Sequence, residues 1–144
     1  MLQAAYKKGY KYQLVETYQE HIPLQPLEDI KTKYITLTKD GLLTIRDGYA
    51  WDGPSGPTID TDNFMRGSLV HDALYQLMRM NLLDREVYRI QADKLLRLHC
   101  KQDGMTNIRA QYVCRGLRIG GEPASRAENK KKVYRSPNSK SIAK

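Results

Sequence analysis

Residues 49–78 read YAWDGPSGPTIDTDNFMRGSLVHDALYQLM. Two different periodicities meet in this stretch. Gly53, Pro54, Gly56 and Pro57 forbid regular structure and favour a tight, fixed loop over residues 51–60. After that loop the apolar spacing becomes helical. Phe64, Ser68, His71, Tyr75, Met78 and Leu82 share one face, with Val70, Leu74 and Leu77 alongside. The helix is expected to start near Thr61 or Asp62, both good caps, and to run to about Leu83.

Upstream of the loop the period is two. In KYITLTKDGLLTIRDGYAW, Ile35 and Leu37 alternate with Tyr34, Thr36 and Thr38. Asp40-Gly41 supplies a turn, and Leu43 with Ile45 returns, which predicts a hairpin. Further back, YKYQLVETYQ places Tyr10, Tyr12, Leu14 and Tyr18 on alternate positions of a strand, with Glu16 the exception. Pro23 and Pro26 separate the two strand regions. The many tyrosines suit half-buried strands whose hydroxyls reach water.

Downstream, Asp84 is placed to cap a second helix, with Val87, Ile90, Leu95 and Leu98 as its apolar side and Gly104 at its end. Thr106 is placed to cap a third, shorter helix ending near Leu117. Strands first and helices after predict an α+β fold. The expected layout is one domain over 1–125, with strands in 1–50, the loop in 51–60 and helices in 61–119. A basic tail follows over 126–144.

The whole chain has 144 residues, 40% hydrophobic and 28% charged, which suits a globular domain with a real core. No apolar run nears the roughly 20 residues of a membrane span. MLQAAYKKGYKYQ lacks the apolar stretch of a secretory leader, so synthesis in a cytoplasm is expected. Cys100 and Cys114 form neither a CxxC pair nor a disulfide framework and are expected to be reduced. The net charge of +8 is concentrated at one end. Seven Lys and Arg after Ser125 stand against Glu128 alone, giving the tail +6 and the rest of the chain +2. Lys130, Lys131, Lys132 and Arg135 form the densest part. Such a tail is either a solvated terminus or an anchor for an acidic protein surface, nucleic acid or an anionic membrane.

Three polar residues stand out within the apolar pattern. Tyr75 lies one helical turn after His71 on the same face. Asp93 interrupts the apolar side of the second helix in IQADKLL, where an unpaired carboxylate is costly to bury. A short link at Leu83-Asp84 favours antiparallel helices, which would bring Asp93 to the level of His71. Asp93 would then fix the imidazole tautomer and accept from Tyr75, leaving one ring nitrogen to take a proton from water. Asp72 lies about 100° round the helix from His71 and would do a separate job. With Asp52 and loop carbonyls it would offer oxygen ligands suited to Ca²⁺. No cofactor is otherwise required. His21, His99 and Cys100 make no zinc spacing, and no P-loop, GxGxxG or GxSxG occurs. Trp51 is either a lid over a pocket or the loop's own core plug.

HDxxY, a later Asp on the partner helix and a preceding Gly-rich loop resemble the phospholipase A2 superfamily. That resemblance implies His71 as base, Asp93 as its partner, Tyr75 as support and Asp72 as a calcium ligand. Ala92-Asp93 is similar to the short form in viral capsid phospholipase domains. The loop here reads YAWDGPSGP where that superfamily carries YxGxG. A longer resemblance joins Asp52, Gly53, Ser55, Pro57, His71, Asp72, Leu74, Tyr75 and Asp93. It is to an uncharacterised family of phage and prophage proteins, a domain of unknown function. This resemblance implies a bacteriophage or prophage origin, and a loop, with Trp51, Gly53 and Gly56 in it, from which Asp52 and Ser55 join the His-Asp helix; the alternative is that Asp52 and Ser55 cap the loop's own backbone.

Two functions are therefore expected. One is a virion-associated structural component of the tail or neck region, made in the host bacterial cytoplasm. In it His71 and Asp93 scaffold the fold, and the basic tail anchors to other phage structural proteins. The other is a phospholipase A2-like hydrolase in which His71 and Asp93 activate water on a lipid ester, with Ca²⁺ at Asp72 and Asp52.

Overall fold

The computed structural model describes residues 3–4, 6–7, 12–51, 62–111, 133–134 and 141–142, with residues 6–7, 133–134 and 141–142 described by backbone alone. The chain groups into two compact units, residues 1–52 with 131–144, and residues 53–130. The division falls inside the Gly/Pro stretch. The fold is α+β, with antiparallel strands followed by helices.

The strand unit begins with β1 (Tyr6–Lys7) and β2 (Tyr12–Leu14), continues with β3 (Tyr18–His21), β4 (Ile30–Lys31), β5 (Ile35–Leu37) and β6 (Leu42–Ile45), and ends its main run at β7 (Ala50–Trp51). These form a three-stranded sheet in the order β1-β2-β7 and a four-stranded sheet in the order β3-β6-β5-β4. A third pair, β8 (Val133–Tyr134) with β9 (Ser141–Ile142), is antiparallel.

The expected hairpin is β5–β6, with Ile35 opposite Ile45 and Leu37 opposite Leu43. All four side chains are fully buried. Each contributes roughly 1.5–3 kcal/mol by leaving water. The turn closes through Gly41 N–H to Thr38 C=O at 2.9 Å, with Gly41 at φ +92. A Cβ at Gly41 would collide with the Ile22 carbonyl oxygen, so only glycine fits.

Two strand expectations are corrected. The strand read through Tyr10–Tyr18 is two strands in different sheets, because β2 pairs with β7 and β3 with β6. The chain leaves one sheet for the other across exposed Val15, Glu16 and Thr17, where the alternation faltered at Glu16. Trp51, expected in the loop, ends β7, opposite Tyr12. Buried Tyr49 and Trp51 flank half-buried Ala50, so the period of two runs through this residue. Trp51 is buried, with its ring 5.7 Å from that of Tyr12.

The second unit is built on α1 (Asp62–Arg79) and α2 (Arg85–Gln102). α1 starts where expected but stops four residues earlier than Leu83. Asn81 takes φ +60, Leu82 N–H reaches back to Leu77 C=O at 2.9 Å, and Asn81 N–H to Met78 C=O at 3.0 Å. That is a Schellman cap with asparagine in the left-handed position. Leu82, expected on the His71 face, therefore lies beyond the helix and is exposed. Asp84 caps α2 as expected, accepting from Glu86 N–H at 2.8 Å and Val87 N–H at 3.4 Å. Gly104, at φ +104, follows the end of α2. Thr106 Oγ1 accepts from Arg109 N–H at 3.3 Å at the start of a further helical segment described over 107–111.

The apolar side expected for α2 is also corrected. Leu95 is buried, but Val87 and Leu98 are exposed and Ile90 is half-buried. The buried stripe is Ala92, Asp93, Leu95, Leu96, His99 and Cys100. Val87 and Leu98 lie on the opposite face at 100° per residue. The close approach of the helices depends on Gly67. A Cβ there would lie 2.7 Å from Leu96 Cδ1 and 3.4 Å from both Cys100 Sγ and His99 Cβ. Phe64, Leu96, Cys100, Met105 and Ala110 complete a local core.

Candidate functional site: a buried His-Asp-Tyr cluster

α1 is buried along most of its circumference, which is unusual for a helix carrying Arg66, Ser68 and His71. Each polar group is accounted for locally. Ser68 Oγ donates to Met65 C=O at 2.9 Å within the helix. Arg66 crosses to the end of α2, where Nε donates to Asp103 Oδ2 at 3.0 Å and a terminal nitrogen to Gln102 Oε1 at 2.8 Å. This buried ion pair fixes how far α1 and α2 slide past each other. The sequence reading missed it. Its signal was an arginine inside the apolar run FMRGSLV.

About one and a half turns after Arg66 comes His71. Its Nε2 lies 2.7 Å from Asp93 Oδ1, and the Tyr75 hydroxyl donates to the same oxygen, also at 2.7 Å. The His71 and Tyr75 rings lie 4.2 Å apart and tilted by 32°. Asp93 is 0% exposed, Tyr75 3% and His71 5%. The three residues expected to meet are therefore brought together, across an antiparallel pair joined by residues 80–84. A carboxylate only accepts hydrogen bonds, so Nε2 carries a hydrogen, and in the neutral form of the ring the lone pair is on Nδ1. Burial, followed by the hydrogen bond to Asp93 and its charge, pushes the Tyr75 hydroxyl far above its ordinary range. Tyr75 is thus a fixed donor at all ordinary pH.

Arg89 is a fourth member that the sequence reading did not select. One turn before Asp93 on α2, its guanidinium lies 3.9 Å from Asp93 Oδ2, with the side chain 20% exposed. The i, i+4 spacing to Asp93 was the available signal.

Asp72 is half-buried on α1 and lies about 100° from His71. The calcium expectation joins it to Asp52 and the loop, and Asp52, Gly53, Ser55 and Gly56 lie outside the described residues, as do Lys130, Lys131, Lys132 and Arg135. Among the described residues no three His, Cys, Asp or Glu side chains gather into a metal-binding group. Asp72 alone is one carboxylate, where Ca²⁺ takes six to eight oxygens. His99 and Cys100 are both buried against α1 near Gly67. Among the described residues, no helix is long and apolar enough to cross a membrane.

The arrangement can hold one imidazole in one tautomer, with a buried acid behind it and a tyrosine locking that acid. Neither a protein-family model, nor a curated protein, nor a solved structure matches the chain, and the site's own geometry carries the functional reading.

Proposed function

We propose that the helical unit is a hydrolase centre in which His71 is the general base for attack of water on an ester. The observation that carries this reading is the hydrogen bond of 2.7 Å from His71 Nε2 to a carboxylate that Tyr75 also holds. His71 Nδ1 takes a proton from water as the water oxygen bonds to the ester carbonyl carbon. The tetrahedral intermediate then breaks its bond to the alcohol oxygen, and Nδ1–H returns the proton to that leaving group. Asp93 keeps the ring oriented and stabilises the imidazolium formed between the two steps. If Ca²⁺ binds at Asp72, it adds stabilisation of the oxyanion.

The likeness of the loop, HDALY and Ala92-Asp93 to phage and prophage proteins supports a phage-encoded protein, made in the bacterial host. Association with the virion near the tail or neck is part of this proposal, with Lys130–Lys132 and Arg135 anchoring to other phage structural proteins. An acidic protein surface, nucleic acid or anionic membrane is the chemistry such an anchor suits. One observation favours a second, purely structural reading, in which the cluster only holds the two helices together. Asp93 is wholly buried and His71 nearly so, and a satisfied polar network specifies packing without any reaction.

The deciding experiment is hydrolysis of a short-chain phospholipid by the purified protein and by His71→Ala, with circular dichroism and melting followed in parallel. The hydrolase reading expects turnover that drops by about 10²–10⁴-fold in a variant that stays folded. Absence of turnover in the wild type, with unfolding of His71→Ala, establishes the structural reading instead. A thermal shift with Ca²⁺ that Asp72→Asn removes would assign the metal.

A further inference from the structure

The outward face of the four-stranded sheet carries no carboxylate at a strand position, and one end of it gathers positive charge. Alternation with buried Ile30, Ile35, Leu43 and Ile45 sends Lys31, Thr36, Thr44 and Gln19 to that face, where they form one row across the strands. Two residues further along, Arg46 N–H donates to Tyr34 C=O at 2.8 Å. Tyr34 therefore lies between Arg46 on the β6 side and Lys31 on the β4 side, with those two strands about 10 Å apart. Lys33 precedes it in the β4–β5 turn, and its Nζ stands 5.5 Å over the Tyr34 ring. Lys31, Lys33 and Arg46 are exposed and form no ion pair among the described residues. The carboxylates lie elsewhere. Glu20, on the opposite face of β3, accepts from the Tyr18 hydroxyl at 2.7 Å. Asp47 is held by the Thr17 hydroxyl at 3.1 Å, at the β3 edge. Asp29 and Asp40 sit at the other end of the strands, bonded to Lys39 N–H and to the Thr38 hydroxyl. The half-buried Tyr34 ring is itself held in place. An added Cβ at Gly48 would sit 3.4 Å from its Cε1, and the Tyr49 ring lies 6.4 Å away at 60°.

Three cations around one fixed aromatic ring match a polyanion that also carries flat rings. Phosphates pair with Lys31, Lys33 and Arg46. A base stacks on Tyr34 in place of the Lys33 ammonium, which then pairs with a phosphate. Thr36 and Thr44 add neutral hydrogen-bonding groups beside the ring. An acidic protein surface would use the charges but not the ring. A membrane surface calls for exposed apolar side chains, and Leu42, the aliphatic residue on this face, is half-buried. We propose that this end of the sheet binds single-stranded nucleic acid. A duplex keeps its bases stacked inside and offers the surface phosphates alone. The proposal uses neither the His71 centre nor the basic tail, so it stands or falls apart from the hydrolase reading.

The test is fluorescence anisotropy of a labelled oligothymidylate of about 15 nucleotides with the full chain, followed across about 50–200 mM salt. Tyr34→Leu should weaken binding about fivefold or more, and Tyr34→Phe, which keeps the ring, by less than about twofold. The triple variant Lys31→Gln, Lys33→Gln, Arg46→Gln, changed only at exposed positions, should flatten the slope of log affinity against log salt by about 2, from three phosphate contacts at about 0.7 each. Both effects should persist when Lys130, Lys131 and Lys132 of the tail are replaced by Gln. A duplex of the same length should bind more weakly and should not respond to Tyr34→Leu. Circular dichroism establishes that each variant is folded, and if Tyr34→Leu is not, the triple variant decides. No binding by the wild type, or a slope unchanged in the triple variant, overturns the proposal. Binding abolished by the tail substitutions alone overturns it too. A flatter slope with no response to folded Tyr34→Leu, and duplex bound equally well, marks a plain cationic patch and also overturns it.

Discussion

The two units bury different things. In the strand unit the interior is Leu14, Leu24, Ile35, Leu37, Leu43 and Ile45 with aromatic rings, and no charged side chain is buried among its described residues. In the helical unit Arg66, Ser68, His71, Asp93 and His99 are buried alongside the apolar residues. A sheet core of this kind is stabilised by area alone and tolerates exchange of shape. A helical pair that buries charge gains little net stability from doing so, and needs every partner present. The contrast locates the part of the molecule whose packing depends on matched polar partners as well as on buried area.

The sharpest way to break that comparison is Asp93→Ala. It leaves His71 and Tyr75 without their shared acceptor, and a loss of about 4 kcal/mol is expected in urea unfolding. Asp93→Leu refills the volume without the carboxylate, so recovery of most of that loss would show that packing, rather than pairing, is at stake. Leu43→Ala probes the other unit, with an expected loss of about 3 kcal/mol from its cavity and no change in the environment of His71 by NMR. Gly67→Val comes next, at about 2 kcal/mol from overpacking against Leu96 and Cys100. It should also weaken the His71–Asp93 hydrogen bond, seen as loss of the downfield imidazole proton. Pairing it with Leu96→Ala should restore that signal.

Tyr75→Phe is the mildest change, costing about 1.5 kcal/mol at neutral pH through one lost hydrogen bond to a carboxylate. It also carries a pH signature. The folded-state pKa of Tyr75 is raised, so its contribution is complete below the ordinary value of 10.0 and is lost as pH rises beyond it. The wild type should therefore lose stability above about pH 10 more steeply than Tyr75→Phe. Identical slopes would show that Tyr75 ionises freely in the folded protein.

Local chemistry made much of this legible. Asp40-Gly41 between alternating apolar residues specified β5–β6, and Asp84 and Gly104 marked the ends of α2. His71, Tyr75 and Asp93 were legible because an αα-hairpin with a short link leaves little freedom in register. Less visible were features set by tertiary choice. Glu16 disturbed the alternation, but nothing local says that the strand must change sheets there. Asn81 falls inside the expected helix, since its left-handed cap depends on what Leu82 and Leu83 do next. On α2 the apolar Val87 and Leu98 suggested the wrong face, because half the true face is Asp93, His99 and Cys100. Arg66 and Asp103 are 37 residues apart, and no spacing rule connects them.

His71, Tyr75, Asp93 and Arg89 are all carried by one helix–link–helix segment, with 22 residues between the imidazole and its acid. Closing so short a loop costs little chain entropy, and contacts this local form quickly. The His71–Asp93–Tyr75 cluster would be complete before slower strand pairing finishes. A recombination event that exchanged the strand half for another partner would pass the hydrogen-bonded cluster on intact.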